Sequence, residues 1–178
     1  MPDRAQAESS TVTTTARLAL RRLDADDAPF VLELVNDPSW LRFIGDKGVR
    51  NLDDARAYIA NGPQASYARF GFGLWLVELE STREAIGICG LIKRDTLDDV
   101  DIGFAFLPLF RGHGHALEAA QATVRHARES LRLERLVAIV SPGNESSIRL
   151  LEKLGLRFER MLQLSPDGSD TALYGMAL

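Results

Sequence analysis

The apolar pattern of this chain changes period across one short glycine-bearing turn, and that switch constrains the fold more than any other feature. From Val100 to Leu107 the apolar residues alternate, with Ile102, Phe104 and Phe106 on one parity, as in a strand. From Gly114 to Leu131 they recur at helical spacing, on Leu117, Ala120, Val124, Ala127 and Leu131. The turn between them reads Arg111-Gly112-His113-Gly114-His115-Ala116. Small residues at a strand-to-helix turn let backbone N–H groups converge on an anion, and the helix N-terminus adds partial positive charge. A pyrophosphate suits such a turn. No Lys-Ser or Lys-Thr follows the glycines, so it is not a Walker A loop, and the third glycine of the dinucleotide fingerprint is missing. Taken alone, the segment leaves open a tight turn whose glycines serve only steric needs.

The flanking sequence supplies the rest of an α/β (α+β) domain. Arg17 to Leu23 reads as a first strand, and Asp24 as the cap of a helix carrying Phe30, Val31, Leu34 and Val35. Asp37-Pro38 stops that helix, and Trp40 to Asn51 has no clean period. Leu52 to Ala60 reads as a second helix closed by Asn61-Gly62-Pro63. Strands are expected over Gly71–Glu80, Ala85–Lys93 and Val100–Leu107. After the long helix, Leu136 to Val140 is a short continuous apolar run suited to a strand buried on both faces. A helix follows from Asn144 to Leu154, ended by Gly155, and two strands near Leu156–Leu164 and Thr171–Leu178 close the chain. The order β-α-α-β-β-β-α-β-α-β-β implies one central mixed sheet with helices on both faces. Residues 1–15 are polar and rich in Ser and Thr, and are expected as a disordered tail ahead of a single domain over residues 16–178.

Charge and cysteine content narrow the function. A formal net charge of −4 argues against nucleic acid and mildly favours a cationic partner. The lone cysteine, Cys89, rules out a disulfide framework, and no apolar run reaches the roughly 20 residues a spanning helix needs. The expectation is a cytoplasmic protein that engages neither membrane nor nucleic acid, as a monomer or homodimer. His113 and His115 have no third ligand at a metal-site spacing, so no metal is expected. Cys89 and Trp75 read as core residues.

Two separated segments resemble the GNAT acetyltransferase superfamily. Arg111, Gly114 and Ala116 fill the positions of its Gln/Arg-x-x-Gly-x-Gly/Ala signature. Glu118-Ala119 after the turn is usual in the ribosomal-protein-type N-acetyltransferases. Asn144, Ser147 and the run Glu152-Lys153-Leu154-Gly155-Leu156 resemble that branch's second signature, with Leu156 where Phe is commoner. The resemblance runs from about Arg17 to the C-terminus. It implies a splayed strand pair in a mostly antiparallel sheet, with acetyl-CoA as cosubstrate.

On that resemblance, the strand Phe104-Ala105-Phe106-Leu107 would pair with the pantetheine arm and offer an N–H to the oxyanion. Arg111, Gly112, His113, Gly114, His115 and Ala116 would hold the pyrophosphate. Asn144 and Ser147, at i and i+3 on one helix face, would reach the cofactor, with Asn144 also a candidate N-cap. Many relatives place a tyrosine acid where this chain has Leu151, which leaves Ser147 or water to serve the thiolate. Asp101 is the candidate base, with a solvated surface carboxylate as the plain alternative. Trp40, Phe43 and Asp101 would shape the acceptor site. The activity this implies is direct acetyl transfer, in a ternary complex, to a primary amine: a peptide N-terminus or a small amine. A non-catalytic acyl-CoA sensor is the competing reading.

Overall fold

The computed structural model describes residues 10–178, folded around one eight-stranded sheet. The strands are β1 (Thr11–Thr14), β2 (Leu18–Arg21), β3 (Leu74–Leu79), β4 (Ala85–Ile92), β5 (Asp101–Phe106), β6 (Arg135–Val140), β7 (Arg157–Leu162) and β8 (Thr171–Ala177). Their spatial order is β1-β2-β3-β4-β5-β6-β8-β7. Every neighbouring pair is antiparallel except β5 and β6, which run parallel. The helices are α1 (Ala28–Val35), α2 (Pro38–Phe43), α3 (Leu52–Ile59), α4 (Ala65–Phe70), α5 (His115–Glu129) and α6 (Glu145–Leu154).

Alternation along each strand divides the core into two layers. Ile102 and Phe106 of β5 join Leu91, Trp75, Ala119, Ala120 and Val124 in a core between the sheet and α5. Ala105, Leu76 and Ile88 face the opposite side and pack with Val31, Leu34, Trp40 and Ile59. The glycines of β4 let neighbouring backbones close up: a Cβ at Gly90 would lie 2.1 Å from the Gly73 carbonyl oxygen. The α5 face is centred on alanines. Ala119, Ala120 and Ala127 are fully buried, and so is Thr123, whose hydroxyl lies 3.3 Å from the Cys89 sulfur. Cys89 and Trp75 are core residues, as their strand positions imply.

Two expectations are revised. Thr11–Thr14 belong to the sheet as β1, paired with β2, so the expected tail ends before them; residues 1–9 lie outside the described residues. Asn61-Gly62-Pro63 does not close a helix. The chain passes through it as a π turn over Ala60–Gln64 and continues into α4, because Pro63 is buried and the widened turn tolerates its missing N–H. Asp37-Pro38 does end α1, which stops at Val35, and Pro38 takes the first turn of α2, with the Asp37 side chain accepting from the Ser39 N–H. Asp24 does cap, through a capping box with Asp27 at the short 3₁₀ turn that leads into α1.

Candidate active site

The site starts from a gap in the sheet. β5 and β6 share the single register pair Asp101↔Val137, where the Val137 N–H donates to the Val100 carbonyl at 3.0 Å. Beyond it the two strands diverge, while β4 remains paired to β5 as far as Phe106. Backbone groups of alternate residues face alternate edges of a strand. The Val100 carbonyl points to β6, so the N–H groups of Phe104 and Phe106 and the Phe104 carbonyl face the open gap. Leu107 points the other way, its N–H donating to the Ile86 carbonyl at 3.0 Å.

Two cavities meet at this gap. One, of about 500 Å³, is lined by Phe104, Ala105, Phe106, Arg111, Gly112, Gly114, His115, Ala116, Asn144, Ser147 and Lys153, among others. The second, of about 610 Å³, reaches from the gap to Asp101, with Lys47, Tyr58, Arg69 and Arg94 around it. Trp40, Phe43, Phe104, Ala105, Asn144 and Ser147 line both.

The glycine turn is built for backbone exposure. Gly112 and Gly114 sit at φ +79° and +80°, in the left-handed region, and a Cβ at Gly112 would meet nothing within 4 Å. The turn is braced from outside. The Arg17 Nη1 donates to the His113 carbonyl at 3.0 Å, and Arg17 pairs with Glu118 at 2.6 Å. The Arg111 side chain turns inward. Its guanidinium donates to the Phe106 carbonyl (2.9 Å), the Ser39 hydroxyl (2.8 Å) and the Asp37 carboxylate (2.8 Å). One side chain thus ties the end of β5, the glycine turn and the start of α2. Bonds from Arg111 and Ser39 hold the Asp37 carboxyl below the usual range despite its burial.

Across the gap, Asn144 caps α6, its Oδ1 accepting from the Ser147 N–H at 3.3 Å. The half-buried Ser147 hydroxyl takes no side-chain hydrogen bond among the described residues. Leu151, at the position of the missing tyrosine, is buried.

Asp101 is 1 % exposed, so it is no solvated carboxylate. Its Oδ2 accepts from Arg94 Nε at 2.8 Å. Oδ1 is one of two buried side-chain polar atoms without a partner among the described residues, the other being Trp40 Nε1. Burial pushes the Asp101 carboxyl up, against the pull of Arg94 and Lys93. A raised carboxyl pKa lies closer to what a general base needs at neutral pH.

The model of the acetyltransferase (GNAT) domain matches residues 17–157. This chain is a member of the GNAT acetyltransferase family. The YnaD N-acetyltransferase of Bacillus subtilis is similar, 30% identical over 82% of each chain. So is an acetyltransferase of known structure from Agrobacterium tumefaciens, 28% identical with a TM-score of 0.77 over 92% of each chain. The fold is shared with RimL, an α-N-protein acetyltransferase solved with coenzyme A, at TM-score 0.80 and 19% identity over 94% of this chain and 98% of that one.

In this GNAT domain the gap, the glycine turn and the α6 start line one cavity, and acyl transfer depends on acetyl-CoA. Two expected residues stand apart. Leu107 packs in the core against α1 and α3, because its parity and N–H both face away from the gap. His113 is exposed and lines neither cavity; its carbonyl accepts from Arg17, and its ring lies 5.8 Å from that of His115. His115 lines the cofactor-side cavity with Nδ1 3.3 Å from the Phe110 carbonyl oxygen. Among the described residues no cluster of three metal-ligating side chains exists, and no helix is long and apolar enough to cross a membrane. Lys47, Tyr58, Arg69, Arg94 and Lys153 also line the cavities, and the sequence pattern does not single them out. For Arg94 a signal existed, since the β4–β5 hairpin register Ile92↔Asp101 sets it beside the carboxylate. Lys153 lies within the run Glu152-Lys153-Leu154-Gly155-Leu156.

Proposed function

We propose that the protein is an N-acetyltransferase whose acceptor is a primary amine, with direct transfer in a ternary complex. The observation that carries this is the meeting of the two cavities at the β5–β6 gap, where they share Phe104, Ala105, Asn144 and Ser147. Acetyl-CoA supplies an activated acetyl thioester. The residues present suit it. The open-edge N–H and C=O groups of β5 can pair an extended amide-bearing arm. The turn through Gly112 and Gly114, open at Gly112 and at the start of the 15-residue α5, suits a pyrophosphate, and Lys153 lines the same cavity without an acidic partner among the described residues.

The acceptor enters from the Asp101 side. Asp101 takes the proton that the ammonium loses before its nitrogen attacks the acetyl carbonyl. The C–N bond forms, the C–S bond breaks, and the second proton on the nitrogen leaves with the coenzyme A thiolate. An N–H on the open edge of β5, from Phe104 or Phe106, is placed to stabilise negative charge on the acetyl oxygen. The Ser147 O–H offers a hydrogen bond to the departing sulfur. An α-amine, with a pKa near 8 against about 10.4 for lysine, needs less help from a carboxylate base.

Thiol release from acetyl-CoA across a panel of amines, alcohols and aromatic amines tests this. Turnover confined to primary aliphatic amines is expected. Coenzyme A binding with no turnover on any acceptor would instead establish the sensor reading.

A further inference from the structure

We infer that the acceptor amine carries a nearby anionic group, a carboxylate or phosphate, which Arg94 and Lys47 hold while the amine lies beside Asp101. This rests on the N-acetyl-transfer reading and names the class of its substrate.

The acceptor-side cavity has a charge opposite to that of the chain. Its lining includes Lys47, Arg69, Lys93 and Arg94 against one carboxylate, Asp101, while the whole chain carries −4. These cations are not equally free. Lys93 donates its ammonium to the Arg94 and Leu97 carbonyls, and the Arg69 guanidinium lies over the Phe70 ring at 4.8 Å. Arg94 donates only Nε to Asp101. Its two Nη nitrogens, which make an arginine a two-pronged donor to carboxylate or phosphate, have no protein partner among the described residues. Lys47 has neither a hydrogen bond nor an ion pair among them. Lys47 is exposed as a residue, and partial burial and the Arg94 cation lower its pKa.

Both halves of the Arg94–Asp101 pair are therefore half used. Buried polar groups in folded proteins are almost always satisfied, so an orphaned Oδ1 on a side chain 1 % exposed calls for an explanation. An acceptor with an amine and an anion a short spacer apart supplies both missing partners. Its N–H groups face the Asp101 carboxylate, and its anion spans the Arg94 Nη groups and relieves their repulsion with Lys47. A polyamine would do the reverse, adding a second cation to a cavity with three cations in excess (four against one). The cationic partner that the net charge of the whole chain favours is thus opposed at the site.

The test is a set of acceptors with one side chain: the free amino acid, its methyl ester, the amine lacking the carboxylate, and the matching aminophosphonate. Each is titrated at saturating acetyl-CoA. The free acid or the phosphonate is expected to exceed the ester and the bare amine in kcat/KM by about tenfold or more, mainly through KM. The ranking of carboxylate against phosphonate tells which anion the site takes. Equal kcat/KM for acid, phosphonate and ester overturns the inference and leaves N-acetyl transfer standing. If no amine is turned over, transfer itself fails. Calorimetry of the same compounds on the coenzyme-A-saturated protein then decides, and equal or absent binding of the acid and ester overturns the inference. Arg94→Met strands a buried carboxylate and can unfold the protein, so the variant to use is Lys47→Glu, on an exposed loop. It is expected to cut the acid-to-ester ratio about tenfold. An unchanged ratio in a folded Lys47→Glu protein removes Lys47 from the site.

Discussion

Replacing Gly114 separates the shape of the glycine turn from its charge. Gly114 holds φ +80° at the start of α5, and a Cβ there would sit 3.4 Å from Arg17 Nη2. An ordinary side chain in this left-handed conformation costs about 1–2 kcal/mol, and Asn and Asp tolerate it better than most. For a domain of this size each kcal/mol lowers Tm by roughly 2–4 °C. Gly114→Asn and Gly114→Asp should thus both fold, with Tm lowered by roughly 2–8 °C. They differ by one charge. If a phosphate lies about 5 Å from the new carboxylate, Coulomb repulsion is about 0.8 kcal/mol at a dielectric of 80 and about 3.3 kcal/mol at 20. The aspartate variant should then bind coenzyme A between about 4-fold and a few hundred-fold more weakly than the asparagine variant. Calorimetric titration with coenzyme A at two ionic strengths measures this, and the difference should shrink with salt. Equal affinities of the two folded variants would refute the placement of the pyrophosphate at this turn.

Asp101→Asn should lower kcat well beyond any change in coenzyme A affinity, and should remove the acidic limb of the pH–rate profile; a full wild-type profile across pH 6–9 in the variant would make Asp101 structural. The Asp101 carboxyl is raised by burial, so its contribution to stability is present below the ordinary aspartate pKa and is lost as pH rises through the folded value. Denaturant unfolding of wild type against Asp101→Asn over that acidic range should show this slope only in wild type. Arg111→Lys cannot reach the Phe106 carbonyl, Ser39 and Asp37 together, so KM for acetyl-CoA should rise several-fold while Tm falls little, because the Arg111–Asp37 pair is partly exposed and worth about 1 kcal/mol. Cys89 is fully buried and its thiol pKa is pushed up to about 12, so thiol reagents at pH 8 should label it only as the protein unfolds; rapid labelling of the native protein would contradict its burial.

The sequence by itself determined the local elements and the place of the glycine turn between strand and helix. Period and caps are short-range properties, so the strand at Phe104, the helix after Gly114, the cap at Asn144 and the stop at Gly155 were all legible from a few neighbouring residues. The pairing of Arg111, Gly114 and Ala116 with Asn144 and Ser147 likewise pointed to one cofactor site. What lay beyond reach was which elements face one another. Asp101 was legible as a carboxylate at the start of a strand, yet its burial and its half-used bond to Arg94 depend on the β4–β5 register and on the elements packed over that face. The same holds for Leu107, whose strand position looked equivalent to Phe106 but whose backbone faces β4. Asn61-Gly62-Pro63 carried a breaker signal that burial of Pro63 overrode. Net charge, a sum over the whole chain, concealed a basic cavity assembled from Lys47, Arg69 and Arg94 on three separate segments. Contacts of this kind form only when distant segments are packed together, and a single sequence records which side of each element is buried without recording what it is buried against.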